Sequence, residues 1–453
     1  MMKSTVTFHG GVGTVTGANF LLDTGSQKIL VDCGILQQEN ACSEENFAPF
    51  SYDASAIDAL LVTHAHADHI GRIPKLVHDG YKGPLYSTPA TKDLAALMFD
   101  DALRVMKERD EKQGCGMLYE KEDAERALAA WQVHDYRAPF SLGDMSVEFT
   151  DAGHILGAAI VRVSRAGKSI VFSGDVGNSP EPLLNDTEMP RNSDYMVVES
   201  VYGDRVHEGK EGRKEMLRAA VEETRKNKGT LLIPSFSIER TQILLFELNE
   251  MVESGSMAPI PVFLDSPLAI RVTDVFRRYK ELLSPTLRAR FEGGDDPFSF
   301  PGLKVTPNIG QSRDIHKESD PKIIIAGAGM SGGGRIREHE REYLPMKNAT
   351  LLFVGYQAPG SLGRRIQDGE KHVVIDGEHI RIKASVSALS GYSGHADRDQ
   401  LLSFVESAGE KLKKVFVTMG EPKSSLFLAQ RIKDFLGVEA IVPEKGDSLE
   451  IEL

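Results

Sequence analysis

The chain is 453 residues long, several times the commonest domain size, so two or three domains are expected. Its 41% apolar and 26% charged residues exclude a disordered chain, and no run approaches the roughly 20 apolar residues of a membrane helix. The net charge of −13 argues against a general polyanion binder, so a nucleic-acid partner would need a local cationic strip.

The opening MMKSTVTFHG has neither a charged leader nor an apolar signal core. Three cysteines, Cys33, Cys42 and Cys115, are too few for a disulfide framework or a thiolate zinc site, and they suit a reducing compartment. A cytoplasmic protein with no membrane association is expected. Any bound metal must then be held by His, Asp and Glu.

Short apolar runs recur along the chain, each closed by Gly, Ser, Pro, Asp or His. Strands are predicted at residues 28–32, 57–63, 146–150, 168–173 and 194–198. Most are apolar on both faces, which places them under helices. Helices are predicted at 69–79, 92–109 and 121–131, with the densely charged segment 106–128 as a solvated helical excursion. A second block begins near residue 206. There, strand-like runs at 230–235, 261–266, 322–327 and 350–355 alternate with helical stretches at 213–227, 237–254 and 267–292. That alternation predicts parallel strands with helical crossovers. Short strands return after about residue 370 (HVVI, HIRIKASVSAL, KKVFVTM), so the end of the chain is expected to rejoin the first domain, leaving the middle block as an insertion.

The segment Thr63-His64-Ala65-His66-Ala67-Asp68-His69 follows the apolar run Leu60-Leu61-Val62. In an extended backbone His64 and His66 point the same way, while Asp68 and His69 fall at a helix start and turn elsewhere. Two imidazoles on one face, with a carboxylate and an imidazole on the next, can divide between two adjacent cations. Both side-chain types are suitable zinc ligands. His154, Asp175, Glu199 and His395 share one position: each stands at or just past the end of an apolar run. Strand ends of one polarity line a single rim of a sandwiched sheet, so these residues are expected to meet.

The inserted block carries two glycine-rich turns after strands, at 327–335 and 355–365. Glycines let backbone N–H groups crowd an anion, and a following helix N-terminus adds partial positive charge. By themselves such turns are more commonly structural; a family resemblance of the chain as a whole makes Ser331, Gly332, Gly333 and Arg335, with Ser361 and Arg364, candidate phosphate or RNA contacts that would supply the local positive patch. In Ser235-Phe236-Ser237-Ile238-Glu239-Arg240, Ser237 is predicted to cap the next helix. Ser266, in the turn Asp265-Ser266-Pro267, is a candidate nucleotide contact.

Taken in order, THAHADH, GHILGA, FSGD, ESVYGD and SGHAD, with GGVGTVTG at 10–17 and VDCG at 31–34, resemble the β-CASP branch of the metallo-β-lactamase superfamily over nearly the whole chain. The resemblance implies an α/β fold: a metallo-β-lactamase αββα sandwich built from 1–205 and 376–453, the latter carrying an RNA-specificity segment, with an α/β β-CASP domain inserted at 206–375. It implies two Zn2+ per chain, one on His64, His66 and His154, the other on Asp68 and His69, with Asp175 bridging. It assigns catalysis to Asp68, Glu199 and His395, Glu199 orienting His395 near the scissile phosphate. The implied activity is hydrolysis of single-stranded RNA by a metal-activated water, in a groove between domains too narrow for a duplex. One position departs from the pattern: Thr418-Met419-Gly420-Glu421 stands where RNA-cleaving members carry a His. A thioether is a poor zinc ligand beside imidazole, so weaker occupancy of the second site is expected. A DNA-directed nuclease of the same branch, which Met419 favours, and a non-catalytic RNA-binding scaffold are the main alternatives. A hydrolase of small esters is disfavoured by the arginine-bearing insertion. A homodimer through the C-terminal strands stays open.

Overall fold

The computed structural model describes residues 3–37, 43–207, 212–358, 360–389 and 391–453. The chain divides into two compact units, Met1–Val206 with His395–Leu453, and His207–Gly394.

The first unit is built on two seven-stranded sheets. One runs in the order Ser448–Glu452, Lys3–Gly10, Asn19–Asp23, Lys28–Val31, Ala59–Leu61, Leu85–Ser87, Trp131–Val133. The other runs Glu439–Ile441, Lys414–Thr418, Tyr195–Glu199, Lys168–Phe172, Ala159–Arg165, Met145–Asp151, Phe140–Leu142. Lys3–Gly10 buries every second residue, Ser4, Val6, Phe8 and Gly10. It escapes apolar-run reasoning because only Val6 and Phe8 are large and apolar. The end of the chain returns to it: Lys3 pairs with Glu452 and Thr7 with Ser448. Inner faces of the two sheets meet in one apolar layer, with Phe20, Ile29 and Val31 on one side and Val161, Ile170 and Phe172 on the other. The rings of Phe20 and Phe172 lie 6.5 Å apart. Burying each such side chain contributes roughly 1.5–3 kcal/mol.

Helices close both outer faces. Pro89–Gln113 packs on Trp131–Val133, Arg398–Glu406 on Tyr195–Glu199, and Pro422–Leu436 on Lys414–Thr418 and Glu439–Ile441. The expected helix–sheet–sheet–helix sandwich is the result. Two helix predictions change in detail. The charged excursion breaks at Gly114, which adopts a left-handed φ of 67° and ends Pro89–Gln113; the helix restarts at Lys121–Ala129 with a capping box of Glu120 and Asp123. The helix expected at 69–79 is two, Ala67–Ile70 and Ile73–His78, because Pro74 in the first turn of the second lacks the N–H that a continuous helix needs. Cys33 is free and buried.

The second unit holds a six-stranded sheet in the order Leu303–Val305, Val262–Asp265, Lys322–Ala326, Thr230–Pro234, Thr350–Phe353, Ser385–Ala388. Every pairing in it is parallel. Helical crossovers bury both faces, so the strands read as continuous apolar runs. The helix expected at 267–292 is two, Pro267–Arg278 and Pro285–Glu292, the second capped by the Ser284 hydroxyl accepting from Leu287 N. The chain leaves this unit at Gly394 rather than at 375. The segment after 375 was expected in the first unit, but Glu378–Arg381 forms a hairpin with His372–Ile375, and Ser385–Ala388 pairs with Thr350–Phe353. Short strands alone do not reveal which sheet they extend. No helix among the described residues is long and apolar enough to cross a membrane.

Candidate metal centre

Ala59–Leu61 is buried and pairs parallel with Lys28–Val31 and Leu85–Ser87. The chain beyond it stays extended as far as His66, which precedes the short helix Ala67–Ile70. His64 and His66 therefore share a side, and Asp68 and His69 depart on the helix. That helix is held by close backbone packing. Ala18 N donates to Asp68 O at 2.9 Å and Cys33 N to His69 O at 2.8 Å. A Cβ on Gly34 would stand 1.5 Å from the Asp68 carbonyl oxygen, so only glycine permits the approach. Likewise, a Cβ on Gly177 would lie 1.9 Å from Gly153 O, and its absence lets the His154 turn meet the Asp175 turn. The segment bearing His395 docks on the same turn, with a Gly177–His395 antiparallel bridge and Ala396 N donating to Val176 O at 2.7 Å.

These backbone contacts bring four ligand atoms together. His66 Nδ1 lies 3.1 Å from His64 Nε2 and 3.2 Å from His154 Nε2, and Asp175 Oδ2 is 3.4 Å from each of those Nε2 atoms. Ligands about 2.0–2.1 Å from a tetrahedral zinc stand about 3.3 Å from one another, so the spacing fits that ion. His69 Nε2 and Asp175 Oδ1 are buried and 3.1 Å apart, facing each other without a well-aligned hydrogen bond. Buried polar atoms are rarely left so, and a cation would satisfy both. Burial holds His64 and His66 below the usual imidazole range, favouring the neutral form that ligates metal.

Asp32 follows Lys28–Val31 with a φ of 59°. Its carboxylate accepts from Thr63 N (2.8 Å), Thr63 Oγ1 (2.7 Å) and His69 Nδ1 (2.7 Å). That last bond turns His69 Nε2 toward Asp175. Residue-type reasoning assigned Asp32 no role, although it carries the same signal as Asp175, an acid just past a buried strand. Glu199 sits beside the cluster, accepts from Val176 N at 2.6 Å, and has both oxygens 3.2 Å from His395 Nδ1. Burial alone would lower His395, but the negative charges of Glu199 and Asp175 outweigh it and lift the ring to about 9.

Among the described residues, two sets of three or more such ligand atoms lie within 4.8 Å of one another: His64, His66, His154 and Asp175, and Asp175, Glu199 and His395. Asp68 and His69 join neither set. Met419 is buried in the inter-sheet core, its Sδ 2.6 Å from where a Cβ on Gly11 would lie. With Asp32, Thr63 and His69 it lines a cavity of about 10 Å³, room for one water.

In the second unit the residues expected at phosphate are otherwise engaged. Ser331 is buried and its hydroxyl donates to Glu340. Arg335 pairs with Asp265 at 2.7 Å, and Asp265 also accepts from His339 (2.7 Å), Ser312 (2.6 Å) and Thr306 (2.7 Å). Ser361 caps Leu362–Gln367 by accepting from Arg364 N, and Arg364 pairs with Asp368 at 2.9 Å on the surface. Both arginines of the expected positive patch therefore face acids that the fold supplies. Gly332 and Gly333 are open, with nothing within 4 Å of an added Cβ. Ser237 is not the predicted cap, since the next helix begins only at Arg240, with Glu239 before it. Ser266 caps Pro267–Arg278 by accepting from Ala269 N at 3.2 Å.

Residues 12–235 match the metallo-β-lactamase superfamily, 241–366 the β-Casp domain, and 379–443 the Zn-dependent metallo-hydrolase RNA specificity domain. The chain is 37% identical to Ribonuclease TTHA0252 of Thermus thermophilus, across 98% of this chain and 99% of that protein. It is 32% identical to transcription termination factor FttA of Methanosarcina mazei, across 96% of this chain and 69% of that protein. The crystal structure of a protein of unknown function from Enterococcus faecalis V583 is similar in fold, with a TM-score of 0.55 at 14% identity over 99% of this chain and 100% of the other. With one relative alike from end to end and all three domain types in order, the chain belongs to the β-CASP branch of the metallo-β-lactamase superfamily.

Proposed function

We propose that this chain is a zinc-dependent ribonuclease that hydrolyses phosphodiester bonds of single-stranded RNA. The observation that carries the proposal is the meeting of three imidazoles and a carboxylate at zinc spacing, beside the Glu199–His395 pair. The full-length relative named a ribonuclease and the match to an RNA specificity domain direct that chemistry toward RNA. His64, His66, His154 and Asp175 would hold the zinc, which would supply Lewis acidity to activate water. Asp175 turns Oδ2 to His64 and His154 and Oδ1 to His69, so its two oxygens face different candidate ligands. Asp68 and His69 would hold a second metal, a weaker one because Met419 lies in the core and offers no imidazole. As the oxygen of water bonds to phosphorus, with its proton lost to bulk solvent, and the phosphorus–oxygen bond to the departing nucleoside breaks, the His395 ring would give a proton to the leaving oxygen. Glu199 keeps that ring oriented.

The test is incubation of 5′-labelled and internally labelled RNA with the parent and with His64→Ala, with and without chelator. Cleavage is expected only in the parent with metal. Products that persist in both the variant and the chelated sample would overturn the assignment. Met419 favours a second reading, a DNA-directed nuclease, and one sequence presented as RNA and as DNA separates the two.

A further inference from the structure

The geometry of the second unit points to Phe236 as a stacking platform for an unpaired nucleobase. This rests on the ribonuclease reading and adds to it the part of the RNA that the unit would grip. Lys322–Ala326, Thr230–Pro234 and Thr350–Phe353 are adjacent and parallel, so the loops that follow them share one sheet edge. Ligands of open parallel sheets bind at that edge. The loop after Thr230–Pro234 carries Phe236, a large apolar side chain that is 38% exposed.

The ring lies on glycines from the two neighbouring loops. A Cβ on Gly329 would stand 2.6 Å from Phe236 Cδ2, and one on Gly355 would stand 3.6 Å from Phe236 Cε2. A side chain at 329 would lift the ring away. The support is braced: buried Gln357 donates from Nε2 to Gly329 O (2.9 Å) and Gly355 O (3.1 Å). Phe236 O accepts from Thr241 Oγ1 at 2.7 Å. Tyr356, beside Gly355, is 44% exposed. An aromatic face held in place yet left to water is already organised for a flat apolar partner, so little ordering opposes binding.

Base stacking fits this edge better than phosphate binding. Arg335 is tied to Asp265, Arg364 to Asp368 and Ser331 to Glu340, and the chain as a whole carries −13. Stacking on an aromatic ring needs no cation and tolerates any base, because every base has a π-face.

The experiment measures binding of a labelled single-stranded RNA to the full chain in a His64→Ala background, which prevents cutting, and compares Phe236→Ala, Phe236→Leu and Phe236→Trp. Phe236→Ala is expected to weaken binding by between about five- and a hundredfold, Phe236→Leu by less, and Phe236→Trp to keep it. The salt dependence of binding should keep its slope, since no phosphate contact is lost. An RNA with abasic nucleotides should bind weakly to all four proteins alike. Equal affinity for Phe236→Ala and its parent, a changed salt slope, or the same loss on abasic RNA would overturn the inference, the last two pointing to a backbone contact or a docked protein segment. Parent protein that cuts RNA while Phe236→Ala binds normally refutes the platform alone. Parent protein that neither binds nor cuts RNA refutes the ribonuclease reading.

Discussion

Withdrawing zinc is expected to destabilise the first unit by an amount that can be set in advance. The four ligand atoms of His64, His66, His154 and Asp175 meet only when the two sheets are assembled, so the unfolded chain has no comparable site. A ligand that binds only the folded form stabilises it by about 2.7 kcal/mol at a hundredfold excess over its Kd, and by about 4.1 kcal/mol at a thousandfold excess. The unit comprises residues 1–206 and 395–453, that is 206 and 59, or 265 in all. An unfolding entropy near 2.1 cal/mol/K per residue gives it about 0.56 kcal/mol/K, so the two excesses translate into shifts of about 5 and 7 °C. Scanning calorimetry of the full chain, first with zinc and then after chelation, should show one transition fall by that amount and recover when zinc returns. His154→Ala removes one of the four ligands and should respond far less at the same free zinc. A transition indifferent to zinc, or a His154→Ala protein that responds like its parent, would refute the assignment.

Three further outcomes follow from individual contacts. Met419→His should raise the zinc retained after dialysis from about one toward two per chain; a parent that already holds two tightly would show that the thioether is no handicap. Asp32→Asn removes a carboxylate that positions His69, and zinc affinity measured against a competing chelator should fall roughly 10- to 100-fold. Unchanged affinity would mean that the ring needs no such support. Burial would raise Asp265, but hydrogen bonds from His339, Ser312, Thr306 and Arg335 outweigh it and hold the carboxyl at about 2, below its ordinary 3.8. Its contribution, about 2 kcal/mol, is present above the unfolded value and is lost as pH falls from about 4 toward 2. Urea unfolding of Asp265→Asn across that window should therefore depend less on pH than unfolding of the parent, and equal slopes would count against the network.

Local pattern carries much of this protein. His64 and His66 share a face because alternate residues of any extended segment do, and Asp68 and His69 leave it because a helix begins there. His154, Asp175, Glu199 and His395 were visible as polar residues closing apolar runs, and the inserted parallel sheet was visible in its repeated strand–helix alternation. What local pattern lacked was partners. Arg335 looked free to hold phosphate until folding set it against Asp265, 70 positions away. Asp32 read only as the end of the strand predicted at 28–32 until Thr63 and His69 were packed over it, and Ser385–Ala388, expected in the first domain, extends the sheet of the second. Phe236 read as one more apolar residue, yet three adjacent strand ends leave its ring uncovered. Periodicity reports the shape of each segment because neighbouring residues set it. The partner of a charge or the cover over a ring depends on which strands lie side by side, and long-range packing chooses that.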